Sequence, residues 1–186
     1  LESSDIAQML GWSQDGGKLY FYQSPEGRYE VWAVEPDGRN PEVLVSLETD
    51  PGVPVLSPDS SKFLAGAPEG LIWVSIDGTE RQVVAQIERG LSAIWSPTGR
   101  EVVVSQWQPG WSRVAVQAID IHSRLARNLG EIPADVWRLL DLSPDGHWLA
   151  AYRYYDGLYW IHLPTLTMVH VGGQDWQADF VSWVPR

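Results

Sequence analysis

The serine in Gly11-Trp12-Ser13-Gln14-Asp15 is the nearest approach in this chain to an activated nucleophile. Acyl-transfer chemistry of that type needs Gly-x-Ser-x-Gly on a sharp strand-to-helix turn, which lifts the hydroxyl above a sheet. Here the second glycine is missing and a strand-like run follows, so Ser13 reads as a turn residue. The histidines, at 122, 147, 162 and 170, form no His-x-x-x-His pair, and cysteine is absent. Zinc patterns are therefore missing. His162 and His170 flank the Pro164-Thr165 turn and are expected to meet across two strands, as a surface pair rather than a metal site. No glycine-rich phosphate loop, EF-hand loop or Asn-x-Ser/Thr acceptor occurs, so the sequence asks for no metal and no cofactor. Asp120, Asp141 and Asp179 are the carboxylates that a closed fold could gather from separate segments. Asp141, inside Leu139-Leu140-Asp141-Leu142, is expected to face a water-filled channel or to pair with an arginine such as Arg138.

The elements that would position these groups recur along the chain. Leu142-Ser143-Pro144-Asp145-Gly146 joins one β-rich run to another, and Trp12-Ser13-Gln14-Asp15-Gly16, Leu56-Ser57-Pro58-Asp59-Ser60, Trp95-Ser96-Pro97-Thr98-Gly99 and Trp183-Val184-Pro185 are versions of the same phrase. The hydroxyls of Ser13, Ser57, Ser96 and Ser143 suit hydrogen bonds to the turn backbone. Asp15, Asp59 and Asp145 can cap the same turns, and Gly146 occupies a position that calls for positive φ. After each turn comes a short apolar strand, then a third strand with strict alternation: Tyr29 to Val34, Leu71 to Ile76, Val114 to Ile119 and Leu158 to Leu163. A weaker fourth strand completes the unit. Successive phrases lie 44, 39, 47 and 41 residues apart, the period of a β-propeller blade.

The fold class expected is therefore all-β: a β-propeller of four four-stranded antiparallel blades, approximately 6–46, 53–87, 91–130 and 137–172, plus one surplus inner strand at 178–184. The count does not close, because unit one already owns its first strand. The chain is then a piece of a larger propeller, or pairs with a second copy as a homo-dimer that completes a ring, or closes alone with the last segment as a tail.

The aromatic-Ser-Pro-Asp-Gly phrase, the second strand, the tryptophan-bearing third strand and the Asp-Gly turn resemble the TolB-type propeller repeat, a relative of the WD-repeat blade of Pro-Asp type. The resemblance covers essentially the whole chain. Copy two departs from it at Ser60-Ser61 and copy three at Thr98. The resemblance implies a structural role for the motif, scaffolding in envelope complexes, and an extracytoplasmic location in the periplasm or at the cell surface. Propellers of this kind also resemble the gating domain of prolyl-oligopeptidase-type peptidases, whose catalytic Ser, Asp and His would lie on other sequence.

Composition narrows the partners. Lys and Arg number 13 against 24 Asp and Glu, a net charge of −11, which repels nucleic acid and anionic membrane surfaces. No apolar run approaches the roughly 20 residues of a membrane span, so a soluble chain without membrane insertion is expected. Leu1 is not methionine, which points to processing or excision from a longer chain.

Eleven tryptophans are present. Trp12, Trp32, Trp73, Trp95, Trp148, Trp160 and Trp183 fall within repeat strands and are expected in the core. Trp107, Trp111, Trp137 and Trp176, with Tyr154 and Tyr155, fall in second-to-third loops or in links between blades, which antiparallel connectivity places on one face. Exposed rings of this sort mark interaction surfaces; the alternative is that they tuck under their own loops. The expectation is a non-catalytic module, not an enzyme, that binds a protein partner through this aromatic face. Its alternatives are a substrate-selecting domain of a larger hydrolase and a carbohydrate-binding propeller, the latter using Asp135, Asp156, Asp175 and Asp179.

Overall fold

The computed structural model describes residues 7–52, 54–86, 91–106, 110, 112–153 and 156–172. Within them sixteen strands form four antiparallel sheets of four strands, each sheet in sequential order. Blade one comprises β1 (Ala7–Trp12), β2 (Leu19–Gln23), β3 (Tyr29–Val34) and β4 (Glu42–Leu47). Blade two comprises β5 (Val55–Leu56), β6 (Lys62–Ala67), β7 (Gly70–Ser75) and β8 (Arg81–Ala85). Blade three comprises β9 (Leu91–Trp95), β10 (Glu101–Gln106), β11 (Arg113–Asp120) and β12 (Ala126–Pro133). Blade four comprises β13 (Val136–Leu142), β14 (Trp148–Arg153), β15 (Gly157–His162) and β16 (Thr167–His170). The fold class is all-β, with blades of β-propeller type. The expected surplus strand at 178–184 lies outside the described residues.

The chain divides into two compact units, Leu1–Gln86 and Ile87–Arg186. In the first, Val31 of blade one packs with Phe63, Ala65, Ile72 and Val74 of blade two, all nearly or fully buried. In the second, Val103, Val114, Val116 and Ile132 of blade three pack with Leu149, Ala151 and Ile161 of blade four. Burial of such aliphatic side chains contributes about 1.5–3 kcal/mol each. Polar contacts fix both joints: the Ser60 hydroxyl donates to the Trp12 carbonyl oxygen at 2.7 Å, and the Leu139 amide donates to Ser92 Oγ at 2.8 Å.

The turns show why the repeated phrase has its composition. The hydroxyls of Ser13, Ser57 and Ser143 donate to Asp15, Asp59 and Asp145 at 2.6, 2.7 and 2.5 Å. Each carboxylate also accepts the amide two residues on, from Gly17, Ser61 and His147. Each serine oxygen accepts the amide five residues on, from Lys18, Lys62 and Trp148. In blade three Thr98 replaces the carboxylate and the contact from Ser96 lengthens to 3.2 Å. A further copy of the device joins β7 to β8, where Ser75 Oγ donates to Asp77 at 2.6 Å and the Thr79 amide donates to the same carboxylate. Its spacing, Ser-x-Asp-Gly, is that of the other turns. Gly146 adopts φ +72°, and Ser60, where the turn glycine is missing, adopts φ +56°.

Register corrects the placing of the tryptophans. Leu19 pairs with Val34, Phe63 with Val74 and Leu149 with Ile161, which makes Trp73 and Trp160 equivalent to Ala33 rather than to Trp32. One residue of offset sends a side chain to the opposite face of the sheet. Trp73 and Trp95 are buried, but Trp12 is 48% and Trp160 37% exposed, so these two do not belong to the core. Trp183 lies outside the described residues. His162 and His170 do not meet: His162 pairs with Thr167 and His170 with Tyr159.

Candidate functional site

Three connections converge at one end of the second unit. The Ala134 amide, in the link from β12 to β13, donates to the Ser112 carbonyl oxygen at the base of the β10–β11 loop, at 3.0 Å. One residue further on, Asp135 accepts from Arg153 at the end of β14, with Nε 2.8 Å and Nη2 2.7 Å from Oδ2. Arg153 Nη1 reaches across its own loop to Asp156 at 3.0 Å. The bases of the β10–β11 loop, the β12–β13 link and the β14–β15 loop are thereby tied together. Antiparallel order accounts for this, since in each blade the second-to-third loop and the exit from the fourth strand fall at the same end.

Tyr159 and His170 complete the cluster. The Tyr159 hydroxyl donates to Asp156 Oδ2 at 2.5 Å, and its ring lies 5.8 Å from the Arg153 guanidinium. His170, opposite Tyr159 in the strand ladder, lies against it with ring centroids 4.9 Å apart and the ring planes tilted by 36°. Its Nε2–H donates to the Asp156 carbonyl oxygen at 2.7 Å. The hydrogen bond to Asp156 raises the Tyr159 hydroxyl above its ordinary value, and the Asp135 carboxylate raises Arg153. Asp135 and Asp156, counted from the sequence towards a sugar-binding face, are thus both engaged by Arg153; Asp175 and Asp179 lie outside the described residues.

In the sequence, five of the six surplus aromatics lie close to these residues. Trp107 and Trp111 precede Ser112, Trp137 follows Asp135, and Tyr154 and Tyr155 separate Arg153 from Asp156. Trp107, Trp111, Tyr154, Tyr155 and Trp176 themselves lie outside the described residues. Trp137, read from the sequence as a link residue, belongs to β13. Sequence reading missed Arg153 and Tyr159 and gave His170 a different partner, because the partners of Arg153 lie 18 and 3 residues away and only the fold brings both to it.

Ser13, Asp120 and Asp141, the described residues among those weighed for catalysis, make hydrogen bonds to neighbouring groups in the chain. Ser13 bonds within its turn, and Asp120 caps the end of β11 by accepting the His122 and Ser123 amides at 3.0 and 2.8 Å. Asp141, at a bulge in β13, accepts the Leu142 amide at 2.8 Å. Among the described residues no three His, Asp or Glu side chains gather to hold a metal ion, and no helix is long and apolar enough to cross a membrane.

No protein-family model and no curated protein matches the sequence. Solved structures do match the fold. An oligogalacturonate lyase in complex with manganese aligns with TM-score 0.70 at 17% identity, over 96% of this chain and 57% of its own. TolB from Acinetobacter baumannii aligns with TM-score 0.58 at 16% identity, over 96% and 43%. A prolyl endopeptidase structure aligns with TM-score 0.59 at 17% identity, over 91% and 30%. The chain thus spans less than two thirds of each. The expectation that this chain is not an enzyme, drawn from the missing catalytic motifs, is overturned to this extent: the fold that it shares is also found in an enzyme, the lyase. Architecture of this type does not separate catalyst from binding module, and the chain is similar in fold to TolB, to a lyase and to a peptidase alike.

Proposed function

We propose that this chain is a TolB-like propeller domain, with blades of Pro-Asp type, that binds a protein partner through the loop end of its second unit. Trp107, Trp111, Trp137, Tyr154, Tyr155 and Trp176 supply the contact surface. The observation that carries this reading is the tie from Ser112 through Ala134 and Asp135 to Arg153, which gathers the bases of the aromatic loops at one end. Tryptophan and tyrosine there offer large apolar area at low cost in ordering, the property that makes them interface anchors. The resemblance to TolB adds a location in the cell envelope, and the net charge of −11 disfavours nucleic acid.

The test is cross-linking in the native host, followed by titration of the purified partner against wild type and a Trp107→Ala, Trp111→Ala double variant. Affinity is expected to fall at least about 100-fold, as for loss of two anchor residues, with cooperative unfolding retained. Unchanged affinity rejects the reading, and loss of cooperative unfolding assigns the pair to the core.

A second reading draws on the alignment over 30% of a prolyl endopeptidase chain. The same end would then select substrate for a hydrolase domain carried on the same polypeptide. The coding sequence decides: continuation past Arg186 into a Gly-x-Ser-x-Gly strand-turn-helix supports it.

A further inference from the structure

Met9, Phe21, Trp32 and Val43 are successive cross-strand partners, one from each strand of blade one. They form a single apolar row on the face opposite Val31, the face that does not pack on blade two. Phe21 and Trp32 stack with centroids 6.2 Å apart. Met9 is 62% and Val43 43% exposed, and Trp12, on the same face beside Leu19, is 48% exposed. On blade four the outer part of one face is exposed. Ala150, Trp160 and Val169 are cross-strand partners on the side opposite Ile161; Ala150, on the inner strand, is buried, while Trp160 and Val169 towards the outer edge are 37% and 45% exposed.

The two faces are complementary halves of one kind of joint. By strand register Trp32 is equivalent to Ile72 of blade two and Tyr159 of blade four, while Trp160 is equivalent to Ala33 of blade one and Ala118 of blade three. Blade two buries the Trp32-type face against blade one, and blade four buries it against blade three. Blades one and three bury the other face in those same joints. The face left exposed on blade one is thus the one that blades two and four bury, and the face whose outer part is left exposed on blade four is the one that blades one and three bury.

We infer that these faces are an interaction surface for a second copy of this chain, blade four of one copy packing on blade one of its neighbour. Every copy carries both halves, and contiguous exposed apolar area of this kind favours association. Alignment with the lyase is consistent with this, since almost all of this chain matches only 57% of that one. Such a head-to-tail joint is heterologous, so each copy offers a different face to its neighbour.

The inference is independent of the aromatic loop end and is tested by mass rather than by partner binding. Light scattering on the 186-residue chain, from about 1 to about 200 µM to cover micromolar affinities, is expected to show a mass of two or more 20.9 kDa chains. Two variants separate the faces: Met9→Lys with Val43→Lys, and Trp160→Lys with Val169→Lys. Each alone is expected to weaken association at least about 100-fold, with the circular dichroism and unfolding midpoint of the monomer retained. Mixing the two variants is expected to restore a one-to-one pair, because each still holds the half that the other lacks. A single-chain mass across the whole range overturns the inference. So does persistent pairing of either variant by itself.

Discussion

The Ser60 hydroxyl donates a hydrogen bond of 2.7 Å to the backbone carbonyl oxygen of Trp12, 48 residues earlier in the chain. Ser60 also sits at φ +56°, where its turn equivalents in the other blades are glycine. A left-handed conformation costs a residue with a Cβ roughly 1–2 kcal/mol, and the bond to blade one offsets part of that. Ser60→Ala keeps the strain and loses the bond, so a loss of about 1 kcal/mol is expected. Ser60→Gly loses both and is expected to stay within about 0.5 kcal/mol of wild type. Denaturant unfolding of the two variants checks the order, and an alanine variant as stable as the glycine variant rejects it.

Gly146 presents the same backbone problem without a compensating bond. It lies at φ +72°, and a Cβ added there meets nothing within 4 Å, so any cost is conformational rather than steric crowding. Gly146→Ala is expected to lose roughly 1–2 kcal/mol. An unchanged unfolding midpoint counts against the assignment.

Acid stability reports on the Ser-x-Asp turns. Asp77 is held down to about 2 by hydrogen bonds from the Ser75 hydroxyl, the Thr79 amide and the Thr79 hydroxyl. Asp15 and Asp145 are also lowered, chiefly by the hydroxyls of Ser13 and Ser143. A carboxyl depressed in the folded state stabilises above its unfolded value, here near 3.8, and that contribution is lost as pH falls through the folded value. The melting temperature is therefore expected to be level above about pH 5 and to decline from about pH 4 to about pH 2. The gap between wild type and Asp77→Asn should narrow over that decline. A gap independent of pH excludes this contribution.

Trp73 is buried, and among the described residues its indole N–H has no hydrogen-bond partner. An unsatisfied buried donor costs about 1–3 kcal/mol. Trp73→Phe removes the donor along with some packing volume, so a net change within about 1 kcal/mol is expected. Phe63→Ala and Leu149→Ala, at fully buried sites, should each lose roughly 2–5 kcal/mol. If Trp73→Phe costs as much as those truncations, packing alone governs the site.

The Asp135–Arg153 pair should matter more for local order than for global stability. The Asp135 side chain is 49% exposed and that of Arg153 32%, so solvent screening limits their coupling in a double-mutant cycle to about 1 kcal/mol. Arg153→Met is nonetheless expected to speed hydrogen exchange at the Ala134 amide, which lies beside the lost contact, with little change in melting temperature. Unaltered exchange there would dissociate the arginine from the ordering of the link.

The four blades, their strand order and their turns were legible in the amino-acid sequence because the interactions that specify them act over a few residues. A hydroxyl, a carboxylate (Thr98 in blade three) and a residue at positive φ close each turn, and period-two alternation marks the strands on either side. The sequence alone did not determine which face each tryptophan occupies. Trp32 and Trp73 look alike in their strands, yet a register offset of one residue turns them to opposite sides of their sheets. Nor could it separate Trp12 from Trp95, which share a place in the repeat but differ in exposure, 48% against 5%. Burial at that position depends on what packs against the sheet rather than on the residue. The tie from Asp135 through Arg153 to Asp156 was hidden for a similar reason, since it exists only where one blade hands over to the next. Local chemistry determined the blades; pairing register and packing between sheets decided which side chains they cover and which they leave exposed.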